Sequence, residues 1–359
     1  MAQSTLPKSP AAFLLMLMLL GSLLVIFLPT VALAAPCGAG GITVTADTTL
    51  ATSYTGCPTN GITILATDIT LNCNGFSLTG TSSNTGVGIT IASPYLYDTI
   101  ENCHISHFME GIVISHSNYN IFSKDYSMDS LKGSGFEVIN SNYTILVNDQ
   151  STGNPAYGFI ISGSSMSNQL VLDSATSNKG SGFYLNGGSS DILVGNTATT
   201  NLQNGFLLNS QATLDNLTSN TAKANMLNGF SLNSTGFVRL IANTATSNKM
   251  NGYNFNFSII DWLASDTAQA NAVDGFYFGR SSYANEIYAS LSTNNFAYGY
   301  YDASRAPPGL PWAGYPSFGT YEFYYGDIYK GNTIAGSSPV CSGPVSECLP
   351  AGPHGSGYW

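Results

Sequence analysis

A phrase of 23 or 24 residues recurs down the middle of this chain, and nothing else in the sequence constrains the fold so tightly. Each copy reads large apolar, two residues, Asp or Asn, one residue, small, two residues, Asn, and then Gly with an aromatic. Leu146, Leu170, Leu193, Leu217, Leu240 and Leu263 fill the apolar position. Asp149, Asp173, Asn196, Asn220, Asn243 and Asp266 fill the first polar position, and Asn154, Asn178, Asn201, Asn225, Asn248 and Asn271 the second. Gly158, Gly182, Gly205, Gly229, Gly252 and Gly275 follow four residues later.

A unit this short cannot bury its own apolar face and must stack on its neighbours, so the chain is expected to be a solenoid. A leucine-rich repeat has a similar period but needs a helical return. Here the returns, such as Asn186-Gly-Gly-Ser-Ser-Asp-Ile192, are turn formers without a 3.6-residue pattern. Each unit instead carries short alternating stretches. In Gly182-Phe-Tyr-Leu185, Phe183 and Leu185 share one face and Tyr184 takes the other. The expected class is therefore all-β, a parallel β-helix of about ten coils with irregular ends.

Spacing within the phrase is constant from leucine to glycine. The extra residue of the longer units always falls between the Gly-aromatic strand and the next leucine, which marks that segment as a loop. Stacked copies put leucines inside and let Asn side chains bond up and down a column, as in cross-β ladders. Phe136, Phe159, Phe183, Phe206, Phe230, Tyr253, Phe276 and Tyr300 form a further column, expected to pack in the interior. The β-helix is expected over residues 36–335, with a cap and opening coils at 36–87, regular coils at 88–300, and a loop and last coil at 301–335. A proline-rich loop with Pro307, Pro308, Pro311 and Pro316 breaks the pattern, and 320–325 is expected to be a last strand. Residues 336–359 form a tail.

Residues 1–35 read as a secretory signal: Lys8, an apolar run from Ala11 to Leu28, Pro29, and Ala32-Leu33-Ala34 as a cleavage site. The run also reaches the lower limit of a membrane span, so an anchor over 11–28 is the competing reading. Either one exports the β-helix to the periplasm, cell surface or medium. None of the six cysteines lies in the repeated phrase that runs from Leu146 onward. In an oxidising compartment, Cys37 is expected to pair with Cys57 and Cys341 with Cys348, while Cys73 and Cys103 are candidates for stacked neighbours. Charged residues make up only 8% of the chain and the net charge is −10, which argues against nucleic acid as a partner.

Four groups of residues carry candidate chemistry. His104, His107 and His116, with Glu101 and Glu110 nearby, offer ligands of the type Zn²⁺ or Cu²⁺ takes, although strand alternation sets His104 and His107 on opposite sides. The column Asp125, Asp149, Asp173 offers oxygens to Ca²⁺. Because Asn196, Asn220 and Asn243 continue it uncharged, a structural role comes first and no cofactor is expected. A tyrosine-rich end with Tyr298, Tyr301, Trp312, Tyr315 and Tyr324 reads as a cap whose outer rings could meet a glycan. Sequons stand at Asn142, Asn216, Asn233 and Asn256. Asn233 and Asn256 extend a column from Asn186 and Asn209, so Asn142, in the loop, is the best acceptor for a glycan.

The segments Ile69-Thr-Leu-Asn-Cys-Asn-Gly-Phe-Ser-Leu78 and Ile100-Glu-Asn-Cys-His-Ile-Ser106, with the Asn-Thr-Ala units, resemble the right-handed parallel β-helix repeat superfamily, in style its NosD-type exported branch. The likeness covers about residues 40–335 and implies a right-handed coil. Known members include pectate lyases, polygalacturonases, alginate epimerases, tailspikes, adhesins and a copper-insertion accessory factor. Their enzyme signatures are missing here: no Asp-Pro-His-Glu, no Asp-Asp pair, no Gly-His-Gly. Arg305-Ala-Pro-Pro-Gly-Leu310 lacks the second arginine of the pectate-lyase motif. Glu101, Glu110, Asp125 and Asp129 are the one acid cluster worth testing as catalytic. The expected function is thus structural or glycan-binding at the cell surface or envelope. A polysaccharide lyase, hydrolase or epimerase is the alternative, and a copper accessory role comes third.

Overall fold

The computed structural model describes residues 34–303, apart from 84, 211, 280 and 283, and the backbone of the strands Ile328–Lys330, Thr333–Ala335 and Gly357–Tyr358. It is a parallel β-solenoid. Three sheets of 12, 12 and 14 strands run its length, and each strand pairs with its equivalent one coil away, save the antiparallel Gly357–Tyr358 at one edge. Within a coil the chain passes from an aromatic sheet to a leucine sheet to an alanine sheet, named here for what each points inward. In one coil these strands are Phe183–Asn186, Ile192–Val194 and Thr197–Thr199.

Register makes like stack on like: Phe183 on Phe206, Leu193 on Leu217, Ala198 on Ala222. The repeated leucines and the aromatic column are fully buried. From Phe136 to Tyr300 the rings lie face to face with centroids 4.6–4.9 Å apart. That distance is the inter-strand spacing itself, so each ring is held by the sheet at stacking distance. The expected interior packing of leucines and aromatics is what the structure has.

The glycine column has a steric cause. At Gly205 φ is not positive, but a Cβ would sit 2.7 Å from the Cβ of Ala222 and 2.7 Å from the Gly229 carbonyl. Gly182, Gly229 and Gly252 meet the same obstacle, because the aromatic and alanine sheets approach closely there. Small residues are required on both sides of that corner.

Two short turns define the other corners. Between the leucine and alanine sheets a left-handed residue, such as Leu172 (φ 59°) or Ser219 (φ 57°), precedes the Asp/Asn position. After the alanine sheet another, such as Thr200 (φ 54°) or Ala224 (φ 55°), precedes the Asn position. The left-handed conformation costs a non-glycine residue about 1–2 kcal/mol. The side chain that follows offsets it. Each Oδ1 accepts the backbone N–H of its counterpart one coil earlier, as Asn225 Oδ1 does from Asn201 (3.0 Å) and Asn196 Oδ1 from Asp173 (2.8 Å). These ladders are the expected ones. Length varies where the sequence placed it: the link between the aromatic and leucine strands spans 163–168 in one coil and 187–191 in the next.

Cys37–Cys57 and Cys73–Cys103 are disulfides, both among the opening coils. Cys341, Cys348, the segment 11–28 and the expected strand at 320–325 lie outside the described residues. Among the described residues no helix is long and apolar enough to cross a membrane.

Candidate functional site on the outer face of the aromatic sheet

The outward column of the aromatic sheet does not repeat. In register it runs Val113, Glu137, Ile160, Tyr184, Leu207, Ser231, Asn254, Tyr277, Tyr301. No Lys, Arg or His stands in it. Glu110 opens the strand Glu110–Ser115, half-buried, with its side chain lying against Gly133 of the next coil. Any Cβ at position 133 would strike the Glu110 Cγ. Burial raises the Glu110 carboxyl above the usual carboxylate range, and the charge of Glu137 on the next coil raises it further.

Beyond the acids come rings. Tyr157 packs over Gly180, where a Cβ would lie 2.8 Å from Cδ1, and its ring is 4.5 Å from that of Tyr184. Burial and the neighbouring Tyr184 hold the Tyr157 phenol above its ordinary range. From the Glu110 coil to the Tyr184 coil is three steps of ~4.8 Å, so acids and rings share a strip roughly 14 Å long. Further along, Tyr277 stacks on Tyr301 (5.4 Å), which also meets Tyr298 (5.3 Å). The strip offers a more protonated carboxyl, a second carboxyl one coil away, and flat polar-edged rings. Those are the parts of acid–base chemistry on a sugar chain.

The acids grouped by sequence are not one cluster, because the chain crosses from sheet to sheet between them. Glu101 is on the leucine sheet, where it accepts a 2.6 Å bond from Asn72 Nδ2. Asp125 is buried in the turn between the leucine and alanine sheets and accepts the Cys103 N–H (2.8 Å), so it cannot meet a substrate. Asp129 is exposed in the turn after the alanine sheet. Only Glu110 lies on the aromatic-sheet side, and its partner Glu137 was not singled out by the sequence. Nothing marks an outward position that does not repeat.

The histidines are also apart. His104 is exposed on the alanine sheet, edge-on to Tyr126. His107 and His116 sit at left-handed turn positions, and His116 bonds Ser115 and Asn140. Among the described residues no three His, Cys, Asp or Glu side chains gather as a metal site. Tyr298 and Tyr301 lie farther along the same sheet, five coils beyond Tyr184, half-buried; Trp312, Tyr315 and Tyr324 fall outside the described residues. Asn142 lies in the loop between the strands Phe136–Ile139 and Ile145–Val147, half-buried, and its Oδ1 accepts the Met166 N–H (2.8 Å). Asn233 and Asn256 bond up their column as expected, at 3.4 and 3.3 Å.

A family model described as "Right handed beta helix region" matches residues 99–259. No curated protein sequence matches the chain. Among solved structures the chain is similar to a single-site mutant of the periplasmic alginate epimerase AlgG (TM-score 0.60, 10% identity, covering 79% of this chain and 74% of that one). It is also similar to the A-module of the Azotobacter vinelandii mannuronan C-5 epimerase AlgE6 (0.58, 13%, 82% and 79%). A third likeness is to the catalytic unit of a thermostable α-1,3-glucanase from Streptomyces thermodiastaticus (0.50, 11%, 86% and 64%). Identities this low carry the fold and not the activity. By sequence model over residues 99–259, sheet topology and structural likeness, the chain has the right-handed parallel β-helix fold.

Proposed function

We propose that this is an exported protein that acts on a polysaccharide laid along the outer face of the aromatic sheet, cleaving it by acid–base chemistry with Glu110 as the acid and Glu137 as its carboxylate partner. The observation that carries this is Glu110 and Glu137 on adjacent coils of one sheet, three residues out of register, with burial and the charge of Glu137 holding Glu110 more protonated, beside the Tyr157–Tyr184 ring pair. Disulfides between opening coils suit an oxidising compartment outside the cytoplasm. The structural neighbours named above include enzymes of polysaccharides, which favours this reading over a purely structural one. The outward column holds one carboxylate, Glu137, and otherwise neutral groups, with the exposed Lys132 beside Gly133 at its edge, so both neutral and uronic-acid polymers belong in the test.

The test is incubation with a panel of neutral and uronic-acid polysaccharides. New reducing ends from one of these polymers, lost by about 10²-fold or more in Glu110→Gln and in Glu137→Gln, are the expected result. Retention on a polymer without turnover favours a second reading, glycan binding, which the Tyr277–Tyr298–Tyr301 group supports. Turnover unaffected by either Gln variant would remove the acid pair from the mechanism.

A further inference from the structure

The turn between the leucine and alanine sheets holds two chemistries in one position. At Asn196, Asn220 and Asn243 the Nδ2 donates to a leucine carbonyl of the coil before: Leu170 (2.8 Å), Leu193 (2.9 Å) and Leu217 (2.9 Å). The same amides donate to the next side chain in the column, at 3.0 Å in each case. At Asp173 and Asp266 an oxygen stands where that nitrogen would be. It is buried and has no partner, although each Oδ1 accepts a backbone N–H in the usual way. Asp125 Oδ2 is orphaned in the same way. By the register that joins Asn196 to Leu170, the position of Asp173 corresponds to the carbonyl of Leu146 and that of Asp266 to the carbonyl of Leu240, while at Asp149 in the same column Oδ2 is matched by the Val147 N–H (3.2 Å). Two acceptors in contact repel; an acid O–H in place of the amide N–H bonds.

A second column repeats the pattern in the turn between the aromatic and leucine sheets. Its members include Asn168, Asp191, Asp215, Asp261 and Asn285, each accepting an N–H from the coil before. Asp191 Oδ2 and Asp215 Oδ2 are buried without a partner, where Asn285 Nδ2 donates to the Ser258 carbonyl (3.4 Å).

We propose that Asp173, Asp266, Asp191 and Asp215 are proton-binding sites of the folded solenoid, each holding a structural proton in place of an amide hydrogen, so that the fold is built for an acidic medium. The groups that face them are acids or phenols, not bases. Asp173 meets Asp149, Asp215 meets Asp191 and Asp261, and Asp266 meets Tyr253 and Tyr300. Asp125, at the start of the first column, meets Asp149 and Glu101, and the adjoining Lys124 is exposed. Desolvation raises all of them, Asp191 and Asp266 to about 7 and Asp215 to about 8. Folding therefore takes up protons between about pH 4, where the unfolded acids titrate, and pH 8. The stability these groups contribute is full below the unfolded value and is lost as pH rises through 7 to 8.

The test uses the full chain and the ladder's own amide. Unfolding temperature is followed from pH 4.5 to 8.5 in the wild type, Asp173→Asn and Asp266→Asn, with the infrared carboxylic-acid band read at pH 6.5. The wild type is expected to lose stability above pH 7 and to show the band. Each variant is expected to weaken the band, to melt roughly 3–5 °C higher than wild type at pH 8, and to match it at pH 4.5. A wild type as stable at pH 8.5 as at pH 5, a missing band, or Asn variants that melt lower at pH 8 would each overturn the proposal. None of these residues lies on the strip assigned to substrate, so failure here leaves the proposed function standing, and the reverse holds.

Discussion

The two tight turns of each coil look alike in backbone and differ in what they demand of the solvent. After the alanine sheet the position is Asn in seven successive coils, Asn154 to Asn295. Asn225 shows why: its Oδ1 accepts from Asn201 N and Nδ2, and its own Nδ2 donates to the Ala198 carbonyl and to Asn248 Oδ1. Every polar atom is matched, at any pH. After the leucine sheet Asp and Asn are mixed, and Asp125, Asp173 and Asp266 each leave an oxygen unmatched. At those three a proton supplies the missing hydrogen, whereas Asp149 in the same column has both oxygens matched, Oδ1 by the Asp125 N–H (2.7 Å) and Oδ2 by the Val147 N–H (3.2 Å). The turn after the alanine sheet is indifferent to pH while the turn after the leucine sheet is not.

That contrast can be broken from both sides. The largest effect is expected at Asn225→Leu, which strands the Asn201 N–H and the Ala198 carbonyl of the coil before and removes the amide link to Asn248, and should cost about 3–5 kcal/mol in denaturant unfolding, equally at pH 5 and pH 8. Gly205→Ala comes next, because its Cβ meets Ala222 and the Gly229 carbonyl at 2.7 Å; about 2–3 kcal/mol is expected, again without pH dependence. Asn196→Asp converts a matched position into an unmatched one. It should cost about 1–2 kcal/mol at pH 8 and close to nothing at pH 4.5, so a pH-independent cost would erase the distinction between the turns. The smallest effect belongs to Tyr119→Ser. That ring stacks between Tyr97 and Tyr143 at 4.8 Å on each side but is 42% exposed, so a loss under about 1 kcal/mol by the same measurement is expected.

The interior was legible in the sequence because stacking demands the same residue in every coil. Leu193 on Leu217, Asn201 on Asn225 and Phe183 on Phe206 repeat for that reason alone. Two other ladders escaped notice. The Asp98–Asn285 column is interrupted by Thr144 and Val238, which donate an N–H but fall outside the Asp/Asn pattern. The column Asn204, Asn228, Asn251, Asp274 runs in the reverse sense, with each N–H donating to the Oδ1 of the coil before. Its early positions are Ser134, Tyr157 and Ser181, so no motif announces it. The candidate site was only half legible. Glu110 was found because it stood near other acids, but nine residues carry the chain from the sheet of Glu101 to that of Glu110. Glu137, whose charge acts on Glu110 from the next coil, is 27 residues away in sequence.

Because each coil pairs with the coil before and the coil after, the molecule resembles a zipper more than a globule, and its mechanical response should be stepwise. Pulled by its ends, it should release one coil at a time, each yielding about 80 Å of slack from some 23 residues of extended chain. The force trace should be a row of near-equal teeth, since neighbouring interfaces are near copies of one another. Cys37–Cys57 and Cys73–Cys103 each tie a coil to the next, so under oxidising conditions the first teeth at that end should shorten, and a reductant should restore them.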